Sequence, residues 1–448
     1  MRDDQGITII IRNGHIIDPS QGIDGIGDIS IENGKVTEIR MGANPLHSPQ
    51  PLQKGGKGEP HAGGSGIHTI DATGLYVLPG LVDMHTHLRE PGFEHKETIR
   101  TGTLAALRGG FTSVCCMPNT KPVNDNETVT EFILRKTYAE GACYVYPIGA
   151  ITKGQKGEEL AEMGMMREAG CVAFSDDGFP VMNSLIMRRA LEYSRVFHVP
   201  IIAHSEDLTL SDGGVMNEGV VSAAMGLKGI PSAAEEVMIS RDIALAELTG
   251  GRLHIAHVST RGSVRLIRQA KERGIPVTAE TCPHYFSLTE EAVSGYETKA
   301  KVNPPLRTRQ DLDAMKEGLK DGTIDVIATD HAPHHRDEKL LEFDKATSGI
   351  SGLETALSLS LRLVEEGVFT LSQLVEKMAW NPSKILNIRK GSLAAGSDAD
   401  IVIVDRNKGF IVEPEWFVSK GKNSPFGGWV LKGLPVKVIV KGKISEVS

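Results

Sequence analysis

Apolar and polar positions follow two different periods along this chain, and the change of period divides it. Gly6–Asp18 (GITIIIRNGHIID), Gly27–Arg40 (GDISIENGKVTEIR) and His68–Tyr76 (HTIDATGLY) are rich in β-branched residues and read as short strands. Asn-Gly pairs at 13–14 and 33–34 are expected to turn hairpins, since both residue types tolerate the left-handed backbone such turns need. Between Gly42 and Gly66 glycine and proline replace nearly all apolar residues, and this stretch reads as a flexible surface loop inserted in a β unit.

From about Val77 the pattern switches. Eight strand-like runs (Val77–Met84, Thr112–Met117, Ala142–Ile148, Cys171–Ser175, Pro200–Ala203, Arg252–Ala256, Pro276–Ala279 and Asp325–Ala328) alternate with segments of helical spacing such as Ser184–Phe197, Ala233–Leu248 and Gln310–Leu319. Several helical segments stop at a glycine just before the next strand, as at Gly170, Gly274 and Gly322. Strand and helix repeated eight times predict an α/β fold, a closed (β/α)8 TIM-like barrel. An open doubly wound sheet is the alternative, but no GxGxxG follows the first strand. Strand patterns return in Ala399–Asp405 and Val436–Glu446. Isolated hairpins are only marginally stable, so the two β-rich ends are expected to join in one small β-sandwich domain. That division assigns residues 1–78 and 385–448 to the sandwich and 79–384 to the barrel.

Composition narrows the field. A chain of 448 residues with 40% hydrophobic and 24% charged residues is globular, and its net charge of −8 offers no basic footprint for nucleic acid. No apolar run approaches the roughly 18 residues of a membrane span, and Met1–Gln5 lacks the layout of a secretory signal. The five cysteines lie mostly in apolar runs without a CxxC pair and read as reduced, buried thiols of a cytoplasmic protein.

Polar residues recur at the carboxyl ends of the barrel strands, where such folds carry their active sites: His85, His87, Asn119, Asp177, His204, His257 and Asp330. His85 and His87 are two apart on a strand and face the same way, so both can offer imidazole nitrogen to one cation. His204 and His257 close consecutive strands and form a second imidazole pair, which argues for a second metal. His254, of opposite parity to His257, is expected to face the helices. Asp330 ends the eighth strand, with helix capping as its bland alternative. Imidazole and carboxylate ligands suit Zn(II), with Mn, Co or Fe as substitutes. Paired cations acidify water held between them and polarise a carbonyl oxygen, which is chemistry for opening or closing a cyclic amide.

The segment Pro79-Gly80-Leu81-Val82-Asp83-Met84-His85-Thr86-His87-Leu88-Arg89-Glu90-Pro91-Gly92 resembles the opening of the amidohydrolase superfamily in its dihydroorotase form. Met117–Thr120, Phe174–Gly178, Thr329–His334, Asn381–Lys384 and Gly396–Asp400 resemble the same family, so the likeness runs over essentially the whole chain. It implies two Zn(II) ions per subunit, one held by His85, His87 and Asp330 and the other by His204 and His257. Many relatives bridge their metals with a carboxylated lysine, but this chain has Ser175-Asp176-Asp177-Gly178 at that place. The resemblance is to the class with an aspartate bridge, here Asp177, with Asp176 its close rival because strand alternation does not settle a strand end. It further implies that Arg89, Asn119 and His334 hold a substrate carboxylate, that Asn303 contacts the ring, and that Asp330 moves the proton. His331, His335 and His284 are left as supporting residues.

The implied reaction is the interconversion of dihydroorotate and N-carbamoyl-L-aspartate by a homo-oligomer, with a complex with aspartate carbamoyltransferase as a further expectation. Three other readings stay open. A dihydropyrimidinase or allantoinase shares fold and metals, but its substrates leave Arg89 without a partner. A catalytically silent scaffold for aspartate carbamoyltransferase would not need all four histidines. A zinc-storage module would need neither Arg89 nor a barrel mouth.

Overall fold

The computed structural model describes residues 8–42 and 67–447; beyond Gly42 the expected 42–66 loop lies outside the described residues. Five strands open the chain: β1 (Thr8–Asp18), β2 (Ile23–Glu32), β3 (Lys35–Met41), β4 (Ile67–Asp71) and β5 (Tyr76–Pro79). Eight parallel strands follow as β6 (Leu81–Thr86), β7 (Phe111–Cys116), β8 (Tyr144–Gly149), β9 (Ala173–Ser175), β10 (Ile201–Ala203), β13 (Leu253–Ile255), β14 (Val277–Thr281) and β15 (Val326–Ile327). β11 (Met216–Asn217) and β12 (Gly229–Ile230) form a two-stranded ribbon in the excursion after β10. A parallel bridge between Thr86 and His331, with the His87 N–H donating to the His331 carbonyl at 2.8 Å, joins the last strand to the first. The strand and helix count read from the sequence is therefore a closed barrel.

Alternation along each strand sorts its residues. Leu253, Ile255, Val277 and Ala279 pack outward with Ile239, Ile267 and Met315 of the surrounding helices. Met84, Cys115, Ile202, Val326 and Ala328 form a separate buried cluster inside the ring. No helix among the described residues is long and apolar enough to cross a membrane.

The chain ends meet in one sheet, where β16 (Ile401–Ile411), β17 (Val430–Val440) and β18 (Lys443–Glu446) continue onto β5 and β1. Its buried face carries Ile9, Ile11, Ile29, Ile31, Ile401 and Ile403. Two local expectations change. Asn33-Gly34 makes the β2–β3 hairpin, with both residues at positive φ. Asn13-Gly14, in contrast, is a bulge inside β1, where the register with β2 shifts between Ile11 and Gly14. The Asn13 N–H is taken by Asp28 at 2.9 Å, so the left-handed residue serves an offset rather than a turn.

The run expected at Val77–Met84 is cut in two at Gly80. Val77–Pro79 pairs with β16 in the end sheet, whereas Leu81 begins the barrel. The Gly80 N–H donates to the Asp400 carbonyl at 2.8 Å, and a Cβ there would lie 2.1 Å from Thr112 Oγ1. A larger residue at the joint would force the Thr112 side chain aside. Gly80→Ala is expected to lower stability by about 1–3 kcal/mol through overpacking, read from urea unfolding; an unchanged midpoint would show that Thr112 yields freely.

Candidate metal centre and active site

The sequence-predicted ligands converge at the carboxyl rim of the barrel. His85 closes β6, and its Nε2 lies 3.3 Å from Asp177 Oδ1 and 3.5 Å from Asp330 Oδ1. His87 Nε2 is 3.0 Å from Asp330 Oδ1 and 3.5 Å from Asp177 Oδ2. Beyond β10, His204 Nδ1 stands 2.9 Å from His257 Nε2, and each of these atoms is within 3.5 Å of Asp177 Oδ1. Asp177 thus touches all four imidazoles. Asp176 turns the other way: its carboxylate accepts from the Ile151 and Thr152 N–H groups at 2.8 and 3.0 Å, which ties down the loop after β8.

Two sets of these groups could each surround one ion, His85–Asp177–His257 and His85–His87–Asp330, and every member is buried. His85 appears in both sets, and His204 adjoins the first through His257. Four ligands at about 2.1 Å from a tetrahedral ion stand about 3.4 Å from one another. The spacings of 3.0–3.5 Å about His85 and His87 match that value. His85 Nε2, fully buried, makes no hydrogen bond, so its lone pair faces the carboxylates unopposed unless a cation or proton lies between them.

The electrostatics say the same. Burial pushes His85 down, yet Asp177, Glu280 and Asp330 together raise it well above its ordinary pKa. Burial also opposes charge on His204, but its hydrogen bonds to Asp177 and Glu206 carry it to about 10. Burial would raise Asp177 and Asp330, and the imidazoles instead hold both below the usual carboxylate range. His87 is lowered, by burial first and then by Arg89, and keeps its lone pair free. Carboxylates crowded on these imidazoles demand positive charge, and a divalent ion can supply it in place of the protons.

Arg89, His257 and Asp330 all adopt positive φ, at 63°, 34° and 47°. Left-handed backbone costs a non-glycine residue about 1–3 kcal/mol, and its concentration at one rim fits a functional site. Arg89 is held by its Nε, which donates to the Pro333 carbonyl at 3.2 Å, and Nη2 lies 3.3 Å from His334 Nε2. No carboxylate among the described residues lies within ion-pair distance of this guanidinium. Burial pushes His334 down to about 3, with Arg89 and Lys96 adding to it against the pull of Glu338, so its ring is neutral. Asn119 Oδ1 lies 2.9 Å from His87 Nδ1 and orients that ring. Asn303 Nδ2 donates to Glu206 Oε2 at 2.8 Å, and Glu206 in turn reaches His204 Nε2 at 3.3 Å. His331 is tied to Gly352 and Glu97, His284 packs on Tyr285, and His335 caps an exposed turn.

Two supporting residues have no counterpart in the sequence reading. Glu280, on β14, accepts from His85 Nδ1 at 2.5 Å through one oxygen and contacts His254 Nε2 at 3.3 Å through the other. His254 therefore points into the barrel, not toward the helices. The parity count from His257 fails because β13 ends at Ile255 and His257 has already left extended geometry. A carboxylate continuing the apolar run Val277–Ala279 was the signal for Glu280. Glu206, two residues beyond His204, carried no comparable one.

A closed parallel barrel with a buried imidazole–carboxylate centre at its carboxyl rim defines a metal-dependent barrel enzyme of the amidohydrolase kind. Residues 74–263 match the family model described as Dihydro-orotase-like. The dihydroorotase of Geobacter metallireducens is 59% identical over 438 residues, covering 98% of this chain and 99% of that protein. The dihydroorotase of Geobacter sulfurreducens is 58% identical with the same coverage. Among solved structures, the L-hydantoinase (dihydropyrimidinase) from Arthrobacter aurescens is 27% identical with a TM-score of 0.84, over 97% of this chain and 95% of that one. The chain belongs to the dihydroorotase family. Glu280→Gln is expected to weaken metal binding about 10–100-fold by loosening His85, as measured by chelator competition; unaltered affinity would remove Glu280 from the centre.

Proposed function

We propose that this chain is a dihydroorotase, reversibly hydrolysing (S)-dihydroorotate to N-carbamoyl-L-aspartate with two Zn(II) ions per subunit. His85, His87, Asp177, His204, His257 and Asp330 are the ligands in this reading. The observation that carries the choice of substrate is Arg89, a half-buried guanidinium beside neutral His334 and the metal cluster, with no carboxylate among the described residues within ion-pair distance. A half-buried guanidinium with no direct ion-pair partner keeps its planar fork open to an anion, and a substrate carboxylate is the partner that fits it.

Bound metal ions activate water and polarise the ring carbonyl. The chain's residues do the rest. Arg89 and His334 fix the substrate carboxylate, Asn119 keeps the His87 ring turned to the centre, and Asn303 with Glu206 steadies His204 at the ring's edge. Asp330, held ionised by the adjacent His85 and His87 despite its burial, accepts a proton from the attacking water. It returns that proton to the ring nitrogen as the carbon–nitrogen bond breaks. In the reverse direction it takes the proton from the carbamoyl nitrogen, and water leaves.

A second reading, hydrolysis of uncharged rings in the manner of a hydantoinase, is favoured by the structural likeness alone. It leaves Arg89 unpaired, and β9 runs into Ser175-Asp176-Asp177 without a lysine. A silent scaffold is disfavoured by the retention of all four imidazoles. The homo-oligomer, the cytoplasmic setting and a complex with aspartate carbamoyltransferase rest on family resemblance.

Purified enzyme is expected to hydrolyse dihydroorotate, to lose activity on chelation and to regain it with zinc. Arg89→Met is expected to lower kcat/KM on dihydroorotate about 100-fold or more, since two charge-assisted bonds are worth about 3 kcal/mol. Turnover of dihydrouracil or allantoin with none of dihydroorotate would replace this reading with the second.

A further inference from the structure

The connection between β16 and β17 does not stay with the end sheet. Its base is tied by backbone hydrogen bonds between Val412 and Trp429 and between Gly428 and Val412, both 2.9 Å. Its tip crosses to the barrel rim, where Ser419 Oγ donates to Glu97 Oε2 at 2.5 Å. A Cβ on Gly421 would lie 2.5 Å from Pro333 Cβ, so the bare backbone lies directly on the residue before His334.

Asn423, 3% exposed, uses its whole amide on the segment that follows β15. Oδ1 accepts from the His334 N–H and from Ser351 Oγ, each at 3.0 Å. Nδ2 donates to the Ala332 and Gly349 carbonyls at 3.0 and 2.9 Å. One side chain thus pins both ends of the 332–349 loop. Two buried ammonium groups hold its far side: Lys301 Nζ on the Phe343 and Ala346 carbonyls at 2.6 and 2.7 Å, and Lys339 Nζ on Thr347 at 2.7 Å. Between these anchors the Ser348 carbonyl accepts from His334 Nε2 at 2.9 Å, which fixes the ring beside Arg89. Burying two ammonium groups against carbonyls alone is expensive and buys a defined loop shape, not stability.

We propose that Asn423 is a positioning residue for substrate binding, acting through His334 and the 332–349 loop with Lys339 as its counterpart on the far side. The inference rests on the reading of Arg89 and His334 as holders of the substrate carboxylate. By this account the end sheet contributes a working part to the active site.

The test compares full-length Asn423→Ala and, as an independent second variant, Lys339→Met with wild type. Steady-state kinetics on dihydroorotate are expected to show KM raised about tenfold or more with kcat within about threefold. Hydrogen exchange is expected to quicken about tenfold or more for amides 343–350, with the amides of β6 unchanged. Unchanged KM and exchange, or a fall in kcat alone, overturns the proposal. If wild type turns over no dihydroorotate, the proposed function fails and exchange decides the positioning role: faster exchange at 343–350 upholds it, unchanged exchange overturns it. If Asn423→Ala does not fold, Lys339→Met alone carries the same outcomes.

Discussion

Asp177 lies within contact of four imidazoles drawn from three strand ends, with Asp330 and Glu280 close by, and all of it is buried. Anionic oxygens and nitrogen lone pairs repel one another in a medium that screens poorly, so the cluster holds together only around positive charge. The barrel makes this possible. Its backbone hydrogen bonds fix the strand ends, and the rim can then hold side chains in positions they would not choose on their own. The left-handed backbone at Arg89, His257 and Asp330 is part of that cost, carried by the ring beneath.

A hierarchy of hydrogen bonds surrounds the centre. Glu280 fixes His85, Asn119 fixes His87, and Glu206 fixes His204 while Asn303 fixes Glu206. Each partner also selects which ring nitrogen is presented. Beside the cluster, Arg89 and His334 supply fixed polarity of the opposite sense. Negative groups gather the ions and a positive group awaits an anion, so a substrate carrying a carboxylate next to a hydrolysable amide matches both halves of the site.

Much of this was legible in the chain because it depends on local periodicity. The eight alternations of strand and helix and the equal-parity His85 and His87 follow from which way a side chain faces within a few residues, and the histidines just past β10 and β13 from where the apolar runs stop. The joint at Gly80 was not legible, because apolar residues stand on both sides of Pro79-Gly80 and read as one strand although the two halves belong to different sheets. Asn13-Gly14 has turn chemistry, and the partner strand beside it makes it a bulge.

What the sequence determined by itself is therefore the architecture, the imidazole and carboxylate residues of the centre and their place at one rim. Tertiary structure alone decided between Asp176 and Asp177 as the residue facing the imidazoles, turned His254 inward, recruited Glu280 to a histidine 195 positions away, and brought Asn423 from the far end of the chain. The reason is physical. Periodicity encodes facing only while the backbone stays regular, and active-site residues lie where strands end and φ changes sign, so their partners are set by closure of the ring and not by neighbours in sequence.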